Sequence, residues 1–180
     1  PITIRRPSDA VKHQIGLLPE DRKEHGLVLG MSVRENVSLA NLKSVLKRGL
    51  LSFRTERKVA GKAVKELDIK TPGLSQRVKF LSGGNQQKVV VGKWLLTDSV
   101  VLIFDEPTRG IDVGAKIEIY RIMTDFAKQG YGIIMVSSEL PEILGMSDRI
   151  VVMRGGRVVA EMPREEATQE KILAYAVGGE

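Results

Sequence analysis

The sequence contains no cysteine. That excludes disulfides and cysteine-based metal or redox centres, and it is compatible with a reducing compartment. Aromatic residues amount to only 4%, too few for the stacking platforms that bind single-stranded nucleic acid. No stretch of about eighteen apolar residues occurs, so nothing reads as a membrane-spanning helix. The opening PITIRRPSDA has no apolar core and does not read as a secretory signal. A start at Pro1 rather than at methionine reads as a piece of something longer. There are two histidines, His13 and His25, which read as ordinary surface residues. No internal repeat is visible.

What is present belongs to one domain of ordinary size. The 180 residues are 42% hydrophobic and 28% charged, enough for a core within a soluble globular composition. The net charge of +6 points to an anionic neighbour: nucleotide, lipid headgroup or nucleic acid. Between Lys43 and Lys65 stand eight Lys or Arg and a single acid, Glu56. Leu42, Val45, Leu46, Leu50, Leu51 and Phe53, then Val59, Ala63, Val64 and Leu67, fall at helical spacing. The region reads as mostly helical, with a basic face that is either simply solvated or set near anionic lipid headgroups.

The stretch from Leu81 to Asp112, LSGGNQQKVVVGKWLLTDSVVLIFDEPTRGID, carries two devices suited to phosphate chemistry, joined by one helix. In the first, Ser82-Gly83-Gly84 opens the helix: glycines let backbone approach a ligand closely, and free amides at a helix start face anions. In the second, Val100 to Phe104 is an apolar run that ends in Asp105-Glu106-Pro107. Such a run fits a parallel strand buried on both faces, with the acids beyond its carboxyl end, where ligands of α/β sheets sit. Taken singly, a serine-glycine turn is common, and an acid pair at a strand end can be a helix cap. Trp94, among Val and Leu, reads as core.

Along the rest of the chain, Pro1 to Ile4 reads as the end of a strand, Pro7 to Val11 as a helix start, and Ile15 to Pro19 as a strand followed by Glu20-Asp21-Arg22-Lys23. Thr71-Pro72-Gly73 is a turn. Gly110 to Ala115 reads as a loop before an amphipathic helix, Lys116 to Lys128, ended by Gly130. Tyr131 to Val136 is a buried strand leading to Ser137-Ser138-Glu139. Leu140 to Met146 is a short helix with Pro141 in its first turn. Arg149 to Met153 and Val158 to Met162 form a hairpin through Arg154-Gly155-Gly156-Arg157. Thr168 caps a last helix that stops at Gly178-Gly179. Alternation of strands and helices places the core among α/β folds.

LSGGNQQK, a helix, an apolar strand ending DEPT and a turn carrying Asp112 together resemble the ATP-binding cassette (ABC) ATPases. The forms LSGGNQQK and DEPTRGIDVGAK resemble the second ATPase half of the ribose, galactose and xylose type of bacterial sugar importers. This resemblance implies a P-loop NTPase-like ABC ATPase core, here incomplete, formed by residues 1–29 and 97–180. It implies a helical, signature-bearing subdomain over residues 30–96. It implies ATP and Mg2+, with Asp105 holding the metal and Glu106 polarising the attacking water. Leu81, Ser82, Gly83, Gly84, Asn85 and Gln86 would contact the nucleotide of an opposite cassette, and Asp112 would sit between cassettes. Glu20 stands where most cassettes have a glutamine that touches metal and water; the plain alternative is a charged surface loop.

Two departures qualify this. The phosphate loop GxxxxGK[ST] is absent from the sequence; in the family it lies upstream of the strand near Ile15, so the expectation is that it preceded Pro1. Ser138 occupies the place of the switch histidine, and serine carries no proton-linked charge near neutral pH. The implied partners are a second nucleotide-binding domain, a membrane sugar permease and, indirectly, a sugar-binding protein outside the cell. The implied location is the cytoplasmic face of the bacterial inner membrane. Two other readings stand beside it: a soluble ABC ATPase acting on nucleic acid or ribosomes, and a non-catalytic module that only lends its signature.

Overall fold

The apolar runs near Ile15, Val101 and Gly132 become the strands of one parallel sheet in the computed structural model, which describes residues 2–97 and 99–178. These residues fall into two units divided between Val136 and Ser137. In the first unit β1 (Ile15–Leu18) pairs with the later strand Val101–Asp105, which in turn pairs with Gly132–Val136. The registers align Leu18 with Phe104 and Asp105 with Val136. Leu18, Leu102 and Phe104, on one face, are buried. Leu17 and Ile134, on the other, are 47% and 51% exposed. On the strand Val101–Asp105 itself Leu102 and Phe104 are buried while Val101 and Ile103 are half-buried, so the expectation of a strand buried on both faces is corrected to full burial on one. The cover lies on one side, where Trp94 rests so close that a Cβ on Gly16 would stand 2.9 Å from its ring. Trp94 thus packs on the sheet as expected of a core residue, though it is only half-buried.

Ahead of β1 runs α1 (Pro7–Lys12), and Ile2 to Arg5 lie in no helix or strand. The expected strand end is not formed there: Ile2 and Ile4 are exposed and unpaired among the described residues, and Pro1 lies outside them.

The middle of the unit is helical. Ser32 opens α2 (Val33–Ser38) with a reciprocal cap: its Oγ accepts from Glu35 N, and Glu35 Oε2 accepts from Ser32 N at 2.8 Å. A tight turn, Leu39–Val45, leads to β2 (Leu46–Lys47) and β3 (Leu50–Leu51), a hairpin closed by Arg48-Gly49. Helical spacing at Leu46, Leu50 and Leu51 therefore misled. Arg48 and Gly49 both have positive φ, 53° and 82°, which is the geometry of a two-residue hairpin turn. Helix α3 (Phe53–Glu66) follows and buries Ala60 and Ala63, with Leu67 just beyond its end. These pack with Val33, Val37 and Val89 to Val91 in a shared apolar interior.

Helix α4 (Gly83–Leu95) leads to β4 (Val101–Asp105), then α5 (Val113–Lys128) and β5 (Gly132–Val136). The sequence reading gave α4 an apolar side, yet Gly84 and every residue from Gln86 to Gly92 are buried. It is a central helix enclosed on all sides. α5 begins three residues earlier than expected because Asp112 caps it, accepting from Ala115 N at 2.9 Å.

In the second unit α6 (Leu140–Met146) precedes β6 (Arg149–Arg154) and β7 (Arg157–Pro163), an antiparallel pair turned by Gly155-Gly156 with φ of 56° and 76°. Helix α7 (Gln169–Val177) is capped by Thr168 and ended by Gly178 at φ 92°; Gly179 lies outside the described residues. Ile150, Val152, Met162, Ala167 and Ile172 form its core.

Candidate functional site

The signature turn is built by short-range bonds. Ser82 Oγ accepts from Asn85 N at 3.4 Å and from Asn85 Nδ2 at 2.8 Å, which fixes the first turn of α4. Asn85 Oδ1 accepts in turn from Lys70 N at 2.7 Å. Ser82 itself is exposed and Leu81 half-buried. Close approach requires glycine at 84 and leaves little room for a side chain at 83. A Cβ on Gly84 would meet Ala115 Cβ at 2.5 Å, and one on Gly83 would lie 3.0 Å from Arg22 Nη2 and 3.3 Å from Gly110 O. The turn is thereby pressed against the loop that follows β4.

A second clasp holds that loop. Asp21 starts a single wide turn, Arg22–Gly26, by accepting from Lys23 N at 2.8 Å and Glu24 N at 3.0 Å. These amides hold the Asp21 carboxyl below its ordinary range. The turn aims Arg22 across to the carbonyls of Arg109, at 2.8 Å, and Gly110, at 3.1 Å. Glu20 forms an ion pair with Arg109. Both members are largely exposed, so its energetic weight is small, but it engages the carboxylate offered for a metal.

Asp105 is the last residue of β4 and half-buried. Glu106 follows with φ 44°, a left-handed backbone, and its N–H donates to Val136 O at 2.9 Å. A non-glycine residue held there carries strain of about 1–2 kcal/mol, a feature found most often where the backbone must aim a side chain. Asp112 is exposed, and its carboxylate serves the cap of α5.

Gln86 is turned inward. It is 5% exposed, and its Nε2 donates to the carbonyls of Val78 and Leu81 at 3.1 and 3.3 Å. Ser138 belongs to the second unit, exposed, two residues ahead of α6. Beside it Ser137 Oγ donates to Glu142 Oε2 at 2.8 Å.

Sequence reasoning gave no role to Lys88, Glu118 or Arg22. Lys88, its side chain 3% exposed, reaches from α4 to Asp68 O at 2.9 Å and to Glu118 Oε2 on α5 at 2.8 Å. The Lys88 hydrogen bond is the main cause that holds the Glu118 carboxyl below its ordinary value. Five residues on, half-buried Lys93 donates to Gly26 O, and burial lowers its pKa. A lysine after LSGGNQQ was visible, but its partners lie 20 and more residues away and carry no local signal.

For a divalent metal the donors are few. No group of three or more His, Asp or Glu converges among the described residues. With Glu20 engaged by Arg109, Asp105 and the Glu106 that follows it are the carboxylates at the strand end. One or two carboxylates suit Mg2+, which keeps its waters and takes most other ligands from phosphate.

Residues 2–109 match the family ABC transporter. The chain belongs to the ABC transporter family. An ABC relative, a xylose import ATP-binding protein of Thermoanaerobacter pseudethanolicus, is 57% identical over 178 residues, covering 99% of this chain and 35% of its own length. A ribose import ATP-binding protein of Oceanobacillus iheyensis is 52% identical, with 99% of this chain and 36% of that protein covered. The chain thus spans about a third of these relatives. Among solved structures, an ATP-binding cassette of an ABC transporter in its ADP conformation superposes with a TM-score of 0.74 at 22% identity, covering 99% of this chain and 74% of that one. This last likeness supports the fold: a parallel sheet with helices, as in the P-loop NTPase-like ABC core.

Proposed function

We propose that this chain acts as part of the ATP-hydrolysing, energy-coupling subunit of a bacterial carbohydrate importer. The observation that carries the reading is the signature turn: Ser82 exposed, with Gly83 and Gly84 packed onto the loop of Gly110 and the start of α5. Such a turn offers amides and a hydroxyl outward to phosphate while its back is fixed. The high identity to xylose and ribose import ATP-binding proteins supports the substrate class.

In this reading Ser82, Gly83 and Gly84, flanked by Leu81 and Asn85, bind the γ-phosphate of ATP held by a second cassette. Gln86 supports them from inside by tying the preceding turn. Asp112 faces that cassette while it caps α5. Asp105 holds Mg2+ through water, and Mg2+ when bound neutralises charge on the phosphates. Glu20 reaches the metal only on leaving Arg109. Glu106 accepts the proton of the attacking water, its strained backbone setting the aim of the carboxylate. Ser138, by its place in sequence after Val136, keeps the switch position. Residues 30–96 form the helical subdomain that meets a sugar permease, and residues 1–29 and 97–180 belong to the α/β core. A sugar-binding protein outside the membrane completes the importer, and the chain works at the inner face of that membrane.

The test uses the natural full-length subunit with its permease. Glu106→Gln lowers ATP turnover by about 10²- to 10⁴-fold, and Ser82→Arg abolishes ATP-dependent sugar uptake. Retained uptake in the Ser82 variant overturns the proposal. The sequence has no GxxxxGK[ST] loop, so the 180-residue chain alone binds ATP negligibly; micromolar affinity in a titration contradicts that.

A further inference from the structure

We propose that the β2–β3 hairpin and the start of α3 form a contact with a membrane surface, taking anionic phospholipid headgroups. Leu50 and Phe53 are 76% and 63% exposed, and Leu42, Leu46 and Leu51 at least 40%. Five large apolar side chains within twelve residues are left in water although the same segment buries Val45 completely. Around them all eight basic residues from Lys43 to Lys65 are exposed. The single acid, Glu56, is removed from that surface: it is 2% exposed, ion-paired with Arg34 at 2.8 Å and bonded by Ser38 Oγ at 2.9 Å. Lys62 pairs with Glu66 at 3.5 Å, two turns beyond the hairpin end of α3. The exposed charge of residues 43–65 is therefore of one sign.

Shape favours a lipid surface over a protein groove. The register sets Lys47 opposite Leu50 and Leu46 opposite Leu51, so apolar side chains stand on both faces of a two-residue hairpin. A Cβ on Gly49 at its tip would meet nothing within 4 Å. A convex tip that is apolar on both faces and ringed by Lys and Arg matches an interface whose apolar depth lies under a layer of negative charge. Lys47 and Arg48 can lay their stems along the leucines and keep their charges among phosphates.

The absence of cysteine gives a clean probe. Leu50→Cys, carrying an environment-sensitive fluorophore, is mixed with vesicles of phosphatidylcholine alone or with phosphatidylglycerol added. The expected result is a blue shift with the anionic vesicles only, reversed by high salt. The same label at Val158→Cys, 60% exposed in the second unit, shows no shift. Lys47→Gln and Arg48→Gln each lower partitioning about fivefold, and Phe53→Ser lowers it at unchanged circular dichroism. These positions are exposed, so the fold tolerates the changes. No shift with either vesicle, or an equal shift with neutral ones, overturns the proposal. So does a shift with soluble polyglutamate and none with vesicles, which identifies an acidic protein surface instead. The assay holds neither nucleotide nor permease, so its failure leaves the transport reading untouched.

Discussion

Helix α4 and the stretch 43–65 are both rich in polar residues and treat them in opposite ways. α4 encloses Gln86, Gln87 and Lys88; Gln86 Nε2 donates to the carbonyls of Val78 and Leu81, and Lys88 Nζ reaches Asp68 O and Glu118, while Gln86 Oε1 stays buried without a hydrogen-bond partner. The basic stretch sends every cation to water and hides its one acid. Buried polar groups fix geometry because leaving them unpaired is costly. Exposed ones of a single sign act at a distance and contribute little to the fold. Polarity in α4 thus serves position, and polarity in 43–65 serves what the surface meets.

The contrast makes graded predictions, all read by urea denaturation. The largest is Glu118→Ala, which strands the ammonium of Lys88 and costs about 3 kcal/mol, the low end for breaking a buried pair, because Glu118 is 40% exposed and water partly replaces it. Gly84→Ala forces Ala115 aside and costs about 2 kcal/mol, despite the better helix propensity of alanine. Lys88→Met leaves a carboxylate that water can solvate and costs about 1 kcal/mol. It also changes the acid limb. The Glu118 carboxyl is depressed in the fold, so its contribution is present above the ordinary value of 4.5 and is lost as pH falls through the folded value. Lys88→Met flattens stability in that window. The smallest effect is Lys58→Gln in the basic stretch, within about 0.5 kcal/mol. A loss above 1 kcal/mol there would show that this charge is structural and undo the contrast.

Much of the site could be read in order along the chain. The serine-glycine turn opens α4 and the apolar run ends on Asp105, because glycine turns and strand ends are local devices with local signals; Asp112, read as part of a loop, proved to be the cap of α5. The hairpin at Leu46 to Leu51 was missed for a related reason: Arg stands where Asn or Gly usually marks such a turn, and two-residue strands give no period to detect. The capping pair Ser32 and Glu35 stands in the sequence as S-x-x-E, a signal that the sequence reading did not use, and it marks the start of α2. Arg22 was visible within a charged run, but its partners are backbone carbonyls 87 and 88 residues away, and no side-chain pattern announces them.

By itself the sequence determined the family, the order of most strands and helices, and the residue types at the signature turn and the strand end. Periodicity, capping and glycine placement act over a few residues. Only the tertiary structure decided which polar groups are enclosed, that Glu106 sits on a strained backbone, and that the glycines of the signature abut Ala115 and Gly110. It also decided that one acid in the basic stretch is hidden while five apolar side chains are shown. Burial and pairing arise when segments far apart in the chain meet, and that meeting leaves no mark on either segment alone.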